Sequence, residues 1–251
     1  MTQPFRATIP PRRVLVVTGS GISTESGIPT FRGAGGYWRS LNPEDLATRR
    51  AFQGDPNLVW EWYRERRKRI ASSRPNAAHD AVTRLGLATD EFLLVTQNVD
   101  DLHARATHAG KHLLPDRIIQ IHGDIFVSRC ERCDFSRRDP AADIEPVPSC
   151  PKCGGRLRPG VVWFDEELDP DQVQRIEHFL AAGPCQLVLV IGTTVSFDYI
   201  AEWIQRGIGK STVAIEVNPD ETILSHELDR HVRERATIGV PVVISEFLGD
   251  R

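Results

Sequence analysis

Cys130-Glu131-Arg132-Cys133 and Cys150-Pro151-Lys152-Cys153 form two C-x-x-C pairs separated by sixteen residues. Two residues between cysteines let both sulfurs of a turn point at one centre. Four thiolates then hold a tetrahedral zinc ion with no open position, a structural rather than a catalytic metal. Redox pairs or unbound thiols are the alternative. Upstream, the apolar run Val14-Leu15-Val16-Val17 leads through Thr18 into Gly19-Ser20-Gly21-Ile22-Ser23. Glycines after a first parallel strand let the backbone approach a pyrophosphate, although a simple tight turn uses them too. The usual dinucleotide fingerprint wants a third glycine where Thr24 stands, and Gly27 comes too late, so an ordinary hydride-transfer dehydrogenase is disfavoured. His122 follows an apolar run directly, where ligands approach a parallel sheet, and a neutral imidazole can take a hydroxyl proton near neutral pH. It is one of eight histidines, and its position alone leaves a surface or core role open. Tyr63 and Arg66 share a helical face, and an arginine fork with a tyrosine hydroxyl can bind a carboxylate. The surrounding Arg64, Arg67, Lys68 and Arg69 also allow a plain solvated basic helix.

The elements that must position these residues are legible as alternating runs. Residues 14–17, 92–95, 118–121, 187–191 and 213–217 are rich in Val, Ile and Leu and lack clean alternation, which suits strands covered on both faces of a parallel sheet. Helix-like stretches lie between them. Residues 57–72 follow Asp55-Pro56, residues 76–85 open on Asn76 as N-cap, and residues 170–182 start with a proline and stop at Gly183-Pro184. The expectation is an α/β fold, a doubly wound Rossmann-like parallel sheet. Residues 129–157 are turn-rich, and residues 33–53 are loop-like and then helical. These break the rhythm and read as insertions. The expected division is a large lobe of residues 1–32, 76–128 and 158–251, and a smaller zinc-containing lobe from the insertions 33–75 and 129–157. A cleft between lobes is a usual place for a site.

The chain has 251 residues, enough for a sizeable core in one large domain or a large and a small one. Its formal net charge of -3 gives no support to nucleic-acid binding by bulk positive charge. No apolar run is long enough to cross a bilayer, and the start of the chain has no apolar signal segment. Four of the five cysteines fall in the close pairs, and Cys185 stands beside an apolar run as a buried, inert thiol. A cytoplasmic monomer is expected, with no membrane and no direct nucleic-acid partner. The arginines near the cysteine pairs leave a zinc-ribbon nucleic-acid protein as a weaker reading.

The run from Gly19 to Arg32 closely resembles the first signature of the sirtuin family. Thr96-Gln97-Asn98-Val99-Asp100-Asp101-Leu102-His103 resembles the second, and Ile121-His122-Gly123 the third. The four cysteines, the run from Arg158 to Phe164, Gly192-Thr193-Thr194 and Asn218 follow in the family's order, so the resemblance spans about residues 12–249. It implies an enzyme that consumes NAD to remove acyl groups from lysine in proteins or peptides, releasing nicotinamide and O-acyl-ADP-ribose. By match, Gly19, Ser20, Gly21, Ile22 and Ser23 hold the pyrophosphate. Phe31 covers the nicotinamide pocket, with Arg32 near the cofactor. Gln97, Asn98 and Asp100 position ribose and nicotinamide, and Gly192, Thr193, Thr194 and Asn218 bind the adenosine half. His122 becomes the general base. The segment carrying Val161, Val162 and Phe164 pairs with an extended peptide, a mode that gives affinity with little sequence choice. Tyr63 and Arg66, with Ala34 widening the pocket, resemble the desuccinylase and demalonylase branch, where a Tyr-x-x-Arg pair reads a succinyl, malonyl or glutaryl carboxylate.

The chain departs from the family pattern at several points. Ser20 stands for a usual alanine, Thr194 for a serine, and Phe197 and Tyr199 for a valine and a proline. Gly160 and Asp165 also differ, and Asp165 brings a charge into the peptide-pairing segment. These departures keep open an NAD-binding sensor without turnover, or an NAD glycohydrolase or ADP-ribosyl transferase using the same pocket.

Overall fold

The computed structural model describes residues 10–30, 42–139 and 147–249. Phe31, Arg32 and Ala34 lie outside the described residues. The principal sheet has six parallel strands: β1 (Arg13–Thr18), β2 (Glu91–Thr96), β3 (Ile118–Gln120), β7 (Leu187–Ile191), β8 (Val213–Val217) and β9 (Arg230–Val232). Their order is β3-β2-β1-β7-β8-β9. The chain thus runs outward from β1 in one direction and then restarts beside β1 in the other, which makes the β1–β7 boundary the topological switch point.

The apolar runs lack alternation because both faces are covered. Val14, Val16, Leu94, Leu187, Leu189 and Val217 pack in one core with Val82 and Leu85 of α4 (Ala77–Leu87) and Val240, Val243 and Ile244 of α8 (Ala236–Leu248). Leu15, Val17, Leu93, Val95, Val188 and Val190 face the other core, with Ile176 of α6 (Pro170–Ala181) and Ile200, Trp203 and Ile204 of α7 (Asp198–Gly207). Capping fixes the helix starts. Asp55 accepts from Leu58 N at 3.0 Å to open α3 (Pro56–Ser72), and Asn76 accepts from Ala78 N at 3.0 Å to open α4. Asp169 does the same for α6, accepting from Asp171 N at 2.9 Å.

A second, antiparallel sheet of order β5-β4-β6 comprises β4 (Gly123–Cys130), β5 (Ser136–Arg138) and β6 (Leu157–Val161). It packs with α3, with the short helices α1 (Pro43–Leu46) and α2 (Arg49–Gly54), and with a core around Phe52, Trp60, Trp62 and Trp163. The one-turn helix α5 (Leu102–Arg105) follows β2 and sends Leu102 into that core.

Arg67 is the bolt between α3 and β4. It is fully buried and donates to the carbonyls of Ile125 and Val127, the latter at 2.9 Å, with Asp139 at 3.7 Å. A solvated basic helix therefore describes only part of α3. A buried guanidinium is tolerated because carbonyls and a carboxylate meet it. The charges beside the cysteines are similarly engaged: Arg129 with Glu166, Arg137 with Asp139, Arg138 with Asp101, and Lys152 with Asp134. Among the described residues no helix is long and apolar enough to cross a membrane.

Candidate active site

The loops leaving β1 and β7 touch at the switch point. Gly19 N donates to Ile191 O at 3.0 Å, and Gly21 N donates to Gly192 O at 2.8 Å. A Cβ on Gly19 would lie 2.7 Å from that of Thr193, and one on Gly21 would lie 2.7 Å from Gly192 Cα. Gly192 has φ +56, and its Cβ would stand 2.6 Å from Ile22 N. The glycines are thus needed for two loops to meet, whatever ligand lies above them. Ile22 is buried beneath the turn, while Ser20 and Gly21 are half-buried at its rim.

From this contact, hydrogen bonds run along the carboxyl ends of the strands. Thr193 is held from both sides. Its carbonyl accepts from Asn218 Nδ2 at 2.9 Å, and its hydroxyl accepts from Gln97 Nε2 at 2.8 Å. Thr194 pairs with Ser196 at 2.6 Å. Ser23, after β1, donates to Asp100 Oδ2 at 2.9 Å and accepts from Asn98 Nδ2 at 3.1 Å, all three buried. Burial pushes the Asp100 carboxyl up, against the hydrogen bonds from Leu102 N and Ser23 that pull it down.

His122 stands between β3 and β4. Its Nδ1 lies 3.0 Å from Gln97 O, and its Nε2 lies 2.6 Å from the Tyr199 hydroxyl. A carbonyl can only accept, so Nδ1 carries the proton and Nε2 offers its lone pair. The ring is partly exposed, yet desolvation by the protein around it dominates and lowers its pKa to about 4, against a smaller raising effect of the Gln97 carbonyl. His122 is therefore a neutral acceptor at pH 7, with its Nε2 turned to the Tyr199 hydroxyl.

The segment after β6 is anchored beside it. Val162 N donates to His122 O at 2.9 Å, Trp163 N to Glu166 Oε2 at 3.1 Å, and Phe164 N to Ala47 O at 3.0 Å. The three N–H groups are thus spent inside the chain, and Trp163 O also accepts from Glu166 N at 3.0 Å. Val161 is buried and Phe164 is 44% exposed. Asp165 turns back and accepts from Arg49 N at 2.8 Å and Arg50 N at 3.4 Å, capping the start of α2. Its charge is used inside the chain. Gly160 leaves no room for a side chain either, since a Cβ would fall 2.6 Å from Val127 Cγ1. Burial would raise Glu166, but hydrogen bonds from Arg158, assisted by Trp163 N and Arg129, hold its pKa at about 2.

Tyr63 reaches this segment from α3. Its hydroxyl accepts from Trp163 Nε1 at 3.1 Å, and burial pushes its pKa to about 12. Arg66 lies over the Trp62 ring at 5.2 Å, and burial lowers its pKa against the pull of Tyr63 and Asp100. Both side chains thus face the region between Trp163 and Asp100.

The four pair-forming cysteines come together at the tip of the second sheet, all ligand atoms lying within 4.8 Å of one another. Cys130 and Cys153 sulfurs are 3.5 Å apart, and those of Cys133 and Cys150 are 3.7 Å apart. Tetrahedral zinc–thiolate bonds require sulfurs about 3.8 Å apart, far beyond a disulfide bond, so the donor set fits zinc. Backbone N–H groups of Arg132 and Gly155 point at Cys130 and Cys153 at 3.3 and 3.4 Å, as a thiolate knuckle needs. Cys185 is buried with its pKa pushed up to about 11, an inert thiol.

Comparison with known proteins settles the family. The pattern described as "Sir2 family" matches residues 19–198. The chain belongs to the Sir2 family. A relative from Aquifex aeolicus named NAD-dependent protein deacylase is 40% identical, covering 92% of this chain and 93% of its own. One of the same name from Ralstonia nicotianae is 41% identical over 93% and 91%. A mutant Sir2 homologue solved with 2'-O-acetyl ADP ribose superposes with a TM-score of 0.87 at 36% identity, covering 99% of this chain and 97% of that one. A Sir2 homologue–NAD complex gives 0.84 at 37%, covering 95% and 90%.

Three residues of this Sir2-family site received no role from the sequence, although His103 lies in its second signature and Tyr199 is one of its departures. His79 Nε2 lies 3.4 Å from Ser23 Oγ, His103 Nε2 lies 3.0 Å from Thr18 Oγ1, and their rings sit 4.8 Å apart. Burial lowers both pKa values, that of His103 to about 3. The only local signal for His79 is its place in the capping box of α4, where its ring accepts from Asn76 N. The third is Tyr199, whose contact with His122 no local pattern announces.

The purified protein is expected to carry one zinc per chain by elemental analysis. Its removal with a strong chelator should lower the melting temperature by several degrees, and re-addition of zinc should restore it. An unchanged melting curve after verified zinc loss would deny the ion a structural role.

Proposed function

We propose that this protein is an NAD-dependent protein-lysine deacylase that favours short acidic acyl groups and acts in the cytoplasm as a monomer. The observation that carries the reading is His122, a neutral imidazole at the end of β3 whose Nδ1 is fixed by Gln97 O and whose Nε2 is left as the acceptor. When bound, NAD supplies an electrophilic ribose carbon whose leaving group is nicotinamide. Gly19, Ser20, Gly21, Ile22 and Ser23 form the turn that would hold the pyrophosphate across the switch point, with Gly19 and Gly21 keeping the two loops close enough to shape it. Gln97, Asn98 and Asp100 orient the nicotinamide ribose. Gly192, Thr193, Thr194 and Asn218 hold the adenosine end. His122 Nε2 would take the proton of a ribose hydroxyl, freeing that oxygen to bond the acyl carbon as the lysine amine leaves it. The acylated chain lies against Val161, Val162 and Phe164, between the large lobe and the smaller zinc-bearing one. A Sir2–p53 peptide–NAD complex, 26% identical with a TM-score of 0.77, supports a peptide substrate.

The acyl preference rests on Tyr63 and Arg66. Tyr63, buried against Trp163, and Arg66, half-buried over Trp62, bring a hydroxyl and a partly desolvated cation to one face of α3, suited to a terminal carboxylate. An acetyl group has nothing to pair with them.

Arg66→Met is expected to cut NAD-dependent desuccinylation of a lysine peptide by about a hundredfold, the scale of one charge-assisted pair, with deacetylation changed far less. Equal losses on both substrates would remove the acidic-acyl assignment. His122→Ala is expected to cut turnover by about a thousandfold. In the unaltered enzyme, kcat/KM should fall on acidification only as pH drops through about 4, well below the ordinary histidine value of 6.5, because the neutral base is lost only there. An acid limb at 6.5 would contradict the buried-base account.

A further inference from the structure

We propose that Tyr199 caps the base: its hydroxyl occupies the one acceptor position of His122, and a ligand hydroxyl reaches that nitrogen only by displacing it. This rests on the assignment of His122 as base. An imidazole with its Nδ1 proton committed to Gln97 O has a single lone pair, in the ring plane on Nε2. The Tyr199 hydroxyl lies 2.6 Å from that nitrogen and must donate to it. One lone pair does not serve two donors. Nor is the ring free to turn another nitrogen outward. It is pinned by Gln97 O and packed edge-on against Phe197 at 5.4 Å and Tyr199 at 6.3 Å.

The surroundings give the cap a resting place and a means of leaving. Tyr199 stacks on Phe197 at 5.3 Å and leans on Trp203 at 5.2 Å, so its position is set by aromatic packing. It remains half-buried, on the first turn of α7, whose N-cap residue Phe197 makes no side-chain capping bond. The loop feeding this turn holds Val195 at φ +51, a left-handed conformation that a β-branched residue rarely adopts. Strain of this kind marks a segment held in place by its contacts and released when they change. A proton relay through the phenol is the competing role. Burial pushes the Tyr199 hydroxyl up to about 12, which makes it a donor that gives up its proton poorly. Tyr199 is thus a positioning residue with an inhibitory resting state.

Tyr199→Phe keeps the ring packing and deletes only the oxygen. In the free protein, the 15N resonance of His122 Nε2 should move downfield, as an imidazole nitrogen does on losing a donor to its lone pair. With NAD and an acyl-lysine peptide, KM for NAD should fall by about fivefold, the scale of one net hydrogen bond, with kcat unchanged or raised. An unmoved resonance would overturn the cap. So would an unchanged KM, or a kcat lowered tenfold or more, the latter being the mark of a relay. The resonance arm needs no turnover. If His122→Ala stays active while the resonance moves, the base assignment fails and the cap's geometry stands.

Discussion

The site depends on two loops meeting where no side chain fits. The turn after β1 and the turn after β7 approach until Gly21 N bonds Gly192 O, at 2.8 Å. That contact fixes Thr193, whose carbonyl and hydroxyl are held by Asn218 and Gln97. Gln97 in turn presents its carbonyl to His122, and His122 O receives Val162 N at the start of the segment after β6. The ends of six strands, β1, β7, β8, β2, β3 and β6, are thereby joined in one chain of contacts that starts at a close backbone approach. A methyl group at Gly19, Gly21 or Gly192 would separate the turns and disturb each later link.

The interior of this edge is organised to keep histidines neutral. His79, His103 and His122 all have their pKa lowered, chiefly by desolvation, and each accepts or donates within a fixed set of partners. The opposite treatment is given to Glu166, which stays charged because Arg158, Arg129 and Trp163 N surround it. A neutral base and a clamped anion thus sit at the two ends of one short segment. The first keeps its acceptor nitrogen uncharged, and the second is confined to architecture.

The sequence made five of the six strands legible because they are apolar runs covered on both faces; the sixth, β9, is the half-buried Arg230-His231-Val232 at the sheet edge and carries no such signal. The helices α3, α4 and α6 were legible from their caps. The helix α8 was not: it is apolar throughout, rich in Val and Ile, and carries Gly239 and Pro241, so its composition argues for a strand while tertiary packing makes it a helix. The helix α7 followed the altered loop and was read only as a departure at Phe197 and Tyr199. The second sheet starts at Gly123, ahead of the expected insertion, because Gly123 turns β3 directly into β4 with φ +83. Asp165 looked like a charge in the substrate's path, and its helix-capping partners Arg49 and Arg50 lie over a hundred residues away in sequence. Long-range pairings of that sort, Tyr199 with His122 among them, leave no periodic trace. The four cysteines needed none, since their spacing already specified the geometry found.

The most direct measurement is a product analysis. Purified protein would be incubated with NAD and a succinyl-lysine peptide, and every product weighed by mass spectrometry. The account predicts equal amounts of free-lysine peptide, nicotinamide and succinyl-ADP-ribose, with no nicotinamide when the peptide is left out. Nicotinamide released without peptide, or deacylated peptide formed without NAD, would contradict it.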